Sequence, residues 1–164
     1  MTRTSLKEFN CSLARTADII GDKWTLLILR DAFFGASTFS QFQKSLGVAR
    51  NILADRLEKL VQNEVLVKVQ TRPGVERYTY HLTERGQGLV PILIAFTQWG
   101  DKWVFGEGAE PLRFVDRKQG LPIRSVQVQS SDGRSLTPTD ISPTPGPAAD
   151  ERILKAFGNR SKPT

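Results

Sequence analysis

Apolar positions recur at helical spacing through the first sixty residues. Leu13, Ala17 and Ile20 share one side of a short segment that Gly21 ends, with Ser12 placed to cap it. Asp22 is placed to cap a helix over residues 23–34, with Trp24, Leu27, Ile28 and Ala32 inward and Gly35 as its stop. Thr38 and Gln41 have the spacing of a capping box and open a short third helix with Phe39, Phe42 and Leu46 inward. Gly47 closes it. A fourth helix follows at about residues 49–63, with Leu53, Leu57, Leu60 and Val61 on one face. Val48 and Ala49 offer this helix no side-chain acceptor, so its first amides lack a cap.

The period then shortens to two. Residues 65–72 read as a strand, Pro73-Gly74 suits a type II turn, and residues 77–82 read as the return strand. Tyr78, Tyr80 and Leu82 face one way, while Arg77, Thr79 and His81 face the other. Thr83 is placed to cap a long last helix to about residue 104, striped by Leu89, Ile92, Leu93, Phe96, Trp99 and Trp103. The predicted order is α-α-α-α-β-β-α. Two short helices joined at a glycine, then a hairpin with a basic tip, make a winged helix-turn-helix, mainly α with a β-hairpin wing.

Composition divides the 164 residues. All three Trp precede residue 104, and seven of nine Pro follow residue 110. We therefore expect a globular domain over 8–105, a short β-type extension over 106–136 and a Pro-rich, flexible tail over 137–164, with a short helix near 150–157. Lys and Arg total 23 against 17 Asp and Glu, a net charge of +6, which favours an anionic partner such as nucleic acid. One Cys and one His exclude an internal disulfide framework and leave His-based catalysis or metal binding without ligands. Gly86-Gln87-Gly88 is a lone G-x-G that follows no strand, so no phosphate-cradling loop is expected. The expectation is a protein that is not an enzyme and has no metal and no cofactor. The longest apolar run, residues 89–96, has eight residues and contains Pro91, and residues 1–10 lack an apolar leader core. No membrane association is expected, and the location is cytoplasmic.

Several motifs carry a resemblance. Cys11-Ser12-Leu13, Ile19-Ile20-Gly21-Asp22-Lys23-Trp24-Thr25-Leu26-Leu27-Ile28-Leu29-Arg30, Phe39-Ser40-Gln41-Phe42, Leu53-Ala54-Asp55-Arg56-Leu57 and Tyr80-His81-Leu82-Thr83-Glu84-Arg85-Gly86 resemble the HxlR-type family of bacterial winged-helix regulators, relatives of MarR-type proteins. The match spans about residues 11–103. It implies a homodimer joined through long terminal helices and bound to a roughly palindromic operator on double-stranded DNA, as repressor or activator at the nucleoid. The sequence departs from the family pattern in two places. Ala49, Asn51 and Ala54 stand where the family often has Ser, Lys and Thr, so operator sequence does not carry over. Longer members have a tail resembling a zinc ribbon, but its turns here, at 118–120 and 130–133, keep Gly and lack Cys.

On the fourth helix, Arg50, Asn51, Ala54 and Asp55 are the candidates for base contacts. Asn pairs with adenine, Arg with guanine or phosphate, Asp with cytosine, and an Ala methyl can meet thymine. Arg56 sits near the core edge, where a phosphate contact and an interhelix salt bridge are both open. Lys44 is either a phosphate contact or a solvated charge. Arg72 and Arg77 flank the wing tip, where they can reach a minor groove or pair across the strands with Glu76. The resemblance places Cys11 near the dimer surface and implies that some members sense oxidants through such a thiol; the other reading is a small buried hydrophobe. Phe96, Trp99 and Trp103 can line a pocket for a small effector or form core or dimer interface. A winged-helix protein–protein module without sequence-specific DNA binding is the alternative function, weakly supported by Asp55 and Glu58.

Overall fold

The computed structural model describes residues 6–158. The leader reading at the N-terminus and the Pro-rich tail reading at the C-terminus lie partly outside these residues. Helix α1 spans Ser12–Ile20, α2 Lys23–Phe33, α3 Phe39–Leu46 and α4 Arg50–Gln62. Strands β1 (Leu66–Gln70) and β2 (Tyr78–Leu82) form an antiparallel hairpin, with Leu66 opposite Leu82 and Gln70 opposite Tyr78. Helices α5 (Glu84–Gln87), α6 (Val90–Gly100) and α7 (Glu151–Phe157) complete the chain order. This is the winged helix-turn-helix that the pattern predicts.

The caps are mostly those the sequence marks. Asp22 accepts from the Trp24 and Thr25 amides at 3.0 and 3.3 Å. Thr38 and Gln41 close their capping box, and α4 begins at Ala49 with no side-chain cap. The first cap differs. Cys11, in extended conformation, is the N-cap of α1 and makes no side-chain cap bond, so Ser12 is already helical. Gly21 is required by proximity: a Cβ there would stand 2.5 Å from the Ala17 carbonyl oxygen that its amide meets at 2.8 Å.

The core sits where α2, α3, α4 and the first residues of the wing meet. Ile28, Leu29, Phe42, Leu53, Leu57, Leu60, Val65 and Leu66 are buried there. On α2, Thr25, Ile28, Leu29 and Asp31 are buried; of the four positions expected inward, Ile28 is among them, Trp24 and Ala32 pack partly buried against the core, and Leu27 is partly buried beside them. Tyr80 brings β2 onto this core, its ring edge-on to Phe42 at 6.4 Å. The wing is also tied to the cap of α3, since the Tyr80 amide donates to the Ser37 carbonyl at 2.7 Å. At the tip, the Val75 amide closes on the Arg72 carbonyl at 3.2 Å around Pro73 and Gly74 (φ 78°), as a type II turn requires.

The single long helix expected after Thr83 is divided. Thr83 does cap, accepting from the Gly86 amide at 3.0 Å, but it opens only the one-turn α5. Pro91 explains the break. It has no N–H for the carbonyl four residues back and its ring crowds that carbonyl, whereas the first turn of a new helix tolerates both. Beyond α6 the chain widens into a π-helical turn, Asp101–Phe105, ended by Gly106 at φ 93°.

The extension forms two small antiparallel turns, pairing Val115 with Pro122 and Gln129 with Ser135 around Gly120 and Gly133. It is strapped to α6 by Gln98, whose side chain accepts from the Val126 amide at 2.7 Å and donates to the Arg124 carbonyl at 3.2 Å. Phe114 packs near Phe33 and Phe34, with ring centroids 6.3 and 6.2 Å apart. Within 137–149 the only helical piece is a 3₁₀ turn at Pro138–Asp140, and Asp150 caps α7.

Gly86 and Gly88 separate close packing from helix propensity. A Cβ on the buried Gly86 would stand 2.2 Å from the Val65 carbonyl oxygen, while one on Gly88 meets nothing closer than 3.4 Å. Gly86→Ala should lower unfolding free energy by about 2 kcal/mol through forced displacement of the strand. Gly88→Ala should be neutral or stabilise by up to about 1 kcal/mol. Urea denaturation of both variants checks the contrast, and equal effects would refute it.

Candidate nucleic-acid interface

The turn between α3 and α4 is three residues long, Gly47-Val48-Ala49. Gly47 takes the left-handed conformation at φ 60°, and Val48 is buried as the plug between the two helices. With Leu53, Leu57 and Leu60 buried, α4 presents Asn51, Ala54, Asp55 and Glu58 outward. Arg50 stands at its open end. Its guanidinium lies over the Phe39 ring, 5.2 Å from the centroid, and donates weakly to Gln43 Oε1 at 3.4 Å. Helix α3 thus orients Arg50 without neutralising it. Lys44 is exposed on the same helix.

Arg56 is different. Its Nε donates to Asp22 Oδ1 at 2.9 Å, and its Nη1 also meets Asp55. Of the two roles open to it, the structure has the interhelix bridge, which ties α4 to the cap of α2. Partial burial of Asp22 works against its ionisation, but Arg56 and the Thr25 and Trp24 amides outweigh it and hold the carboxyl below its usual range. Asp22 in turn raises the Arg56 pKa.

Arg72 and Arg77 flank the wing tip and are both exposed; among the described residues neither forms an ion pair with Glu76. Lys68 lies on the Tyr78 and Tyr80 face of the hairpin, its ammonium 4.1 Å from the centre of the Tyr78 ring. Sequence reasoning passed over Gln43 and Lys68. Gln43 sits one turn before Gly47 and four residues after Phe39, a spacing that puts it beside whatever opens α4. No comparable signal marks Lys68, whose place follows from strand register.

Cys11 is exposed, so the reading of it as a buried hydrophobe does not hold in this fold. It lies in a groove with Phe9, Asn10, Asp150 and Ile153, where the Asn10 side chain donates to the Ala148 carbonyl at 2.8 Å. Phe96, Trp99 and Trp103 are 60%, 62% and 65% exposed, which removes the core reading for this stripe.

The model of the HxlR-like helix-turn-helix family matches residues 19–107. The chain belongs to that family. An HTH-type transcriptional regulator of Mycobacterium tuberculosis, itself uncharacterised, is 33% identical over 145 residues, 88% of this chain and 92% of the relative. The crystal structure of PA1607, a candidate transcription factor, superposes with a TM-score of 0.79 at 42% identity, covering 86% of this chain and 99% of that one. The redox regulator HypR in its oxidised form is similar at 26% identity, with a TM-score of 0.51, over 56% of this chain and 95% of that one. This HxlR-like protein is accordingly a transcriptional regulator of helix-turn-helix type and not an enzyme. Among its described residues no helix is long and apolar enough to cross a membrane.

The Asp22–Arg56 bridge carries a pH signature in the regulator. The folded carboxyl has a pKa below the ordinary 3.8, so the pair contributes its full stability above that value. The contribution is lost as pH falls through the lowered pKa. Asp22→Ala should cost about 2 kcal/mol at neutral pH, from the lost cap and the unpaired Arg56. Urea midpoints of wild type and variant should converge in acid. A gap that does not change with pH would show that the ionised pair adds nothing.

Proposed function

We propose that the regulator binds a roughly palindromic operator on double-stranded DNA as a homodimer, inserting the N-terminal end of α4 into the major groove. The observation that carries this reading is the unneutralised Arg50, oriented by Phe39 and Gln43 at the uncapped start of a helix whose other face is buried. Asn51, Ala54 and Asp55 stand beside it for base contacts, and Lys44 beside the backbone. Arg72 and Arg77 supply the wing contacts. Arg56 serves through its bridge and secondarily as a phosphate contact. Homodimerisation is supported by the exposed stripe Ile92, Phe96, Trp99 and Trp103, continued by Val104 and Phe105. Residues 8–105 act as the DNA-binding and dimerisation unit, with 106–136 as an extension without metal ligands and 137–164 as a tail. The setting is the cytoplasm.

Oxidation of Cys11 is the modulation this reading carries, supported by exposure of the thiol and by the likeness to a redox regulator. With one Cys per chain, an oxidant such as diamide takes two electrons and two protons from a pair of thiols. The pair is either two Cys11 side chains of a dimer, or Cys11 and a small thiol.

Genome-wide footprinting followed by binding to the recovered site tests the DNA reading. With about four phosphates neutralised per subunit, log K should fall with log salt at a slope near −7. Arg50→Ala should cost about 1–3 kcal/mol and relax base preference, whereas Arg72→Ala should weaken all sequences alike and flatten the slope by about one. A protected site absent from the genome, or a slope near zero, would favour the protein–protein module. Diamide should alter operator affinity of the wild type and leave Cys11→Ser unchanged; the same response in both would remove Cys11 as the sensor.

A further inference from the structure

The apolar side of α6 continues into the extension. Pro91, Ile92, Ala95, Phe96 and Trp99 line an apolar groove, and Val126 of the extension completes the lining. Gln98 is what holds Val126 there. Its side chain accepts from the Val126 amide at 2.7 Å and donates to the Arg124 carbonyl at 3.2 Å, which fixes this piece of the extension against the helix. Val126 lies beyond residues 19–107, the segment that the family model matches, so the groove adds a wall to the common domain.

Much of this surface stands open in a single chain. Val104 is 67% exposed at the end of the aromatic stripe, and Val126 and Val128 are 48% and 57% exposed. The two extension valines alternate with Gln127 and Gln129, the spacing of a segment covered on one side only. The helix stripe from Ile92 to Val104 leaves roughly 700 Å² of apolar side chain in water, above the about 300–600 Å² of the largest patch on an ordinary monomer. With Val126 and Val128 it passes about 800 Å², the share that each partner gives to a stable interface.

The chemistry of the stripe suits a second copy of itself. Across a two-fold axis a surface meets its own image, so a charge near the axis would face its own sign. Residues 89–100 contain no charged side chain. Aromatic rings pack well against their own kind, offset or edge-on.

We propose that the extension is part of the dimer interface: α6 of a second copy lies in the groove formed by Phe96, Trp99 and Val126. This assignment rests on the homodimer reading and names the segment that completes its interface. It also gives the extension a part in operator choice. Leu89 and Leu93, on the inner side of the same stretch, pack against the core. The crossing of two α6 helices therefore sets the separation of two α4 helices, and that separation is what half-site spacing on DNA must match.

Sedimentation equilibrium of the full chain without DNA is the test. The wild type should dimerise. Val126→Glu sets a charge in the apolar groove and should raise the dimer dissociation constant about tenfold or more. Leu121→Glu is the control, since it adds the same charge at an exposed position of the extension outside the groove, and it should leave the constant unchanged. Circular dichroism and melting verify the fold of both variants. A dimer unaffected by Val126→Glu, or weakened as much by Leu121→Glu, would overturn the proposal and leave homodimerisation standing. A wild type that stays monomeric through the micromolar range would overturn both.

Discussion

Burial of Leu53, Leu57 and Leu60 decides which face of α4 any partner can meet. Each fully buried leucine contributes about 2 kcal/mol relative to exposure, so rotating the helix by even one position forfeits several kcal/mol. That penalty far exceeds any single contact with a base. The outward placement of Asn51, Ala54 and Asp55 is thus a consequence of core packing and not of their own interactions. The same argument applies at Val48, where burial of one side chain in a three-residue turn fixes the angle between α3 and α4.

Helix α2 links these constraints. Ile28 and Leu29 fill the core from one side, and Asp22 at the N-terminal end reaches Arg56 across to α4. Asp22 is therefore asked to do two things at once, to satisfy the first amides of its own helix and to neutralise a guanidinium on another. Both demands favour the ionised form, which is why its pKa falls despite partial burial. At its C-terminal end Phe33 meets Phe114 of the extension. A single helix thereby joins the hydrophobic centre to the extension.

Most of the fold was legible in the sequence because it is written in short-range signals. The Thr38–Gln41 box, the Asp22 cap, the Gly47 stop and the Pro73-Gly74 turn each act within four residues, and each appears where the pattern places it. The readings that failed depended on competition between signals. The apolar stripe after Thr83 continues through Pro91, yet a missing N–H outweighs periodicity and divides the helix. Ser12 is the better capping residue, but Cys11 has the extended backbone that the position needs. On α2 the pattern finds Ile28, Trp24 and Ala32 and misses the buried Leu29, because apolar residues occur on more than one side of that helix. The site was only partly legible. Asn51, Ala54 and Asp55 follow from helical phase alone, whereas the Arg50–Gln43 contact and the Arg56–Asp22 bridge depend on tertiary placement.

Side chains of the helical domain hold the extension in place. Residues 112–164 contain neither Cys nor His, so no thiolate or imidazole bond to zinc can anchor the two small turns. Two contacts replace it. The Gln98 amide presents one donor and one acceptor, as a neighbouring strand would, and occupies the backbone of residues 124 and 126. Phe114 packs beside the rings of Phe33 and Phe34. A net hydrogen bond is worth about 1 kcal/mol and a partly exposed aromatic contact about the same, so this attachment is weak relative to the stability of a whole domain. A segment held by so little can detach without unfolding the core behind it.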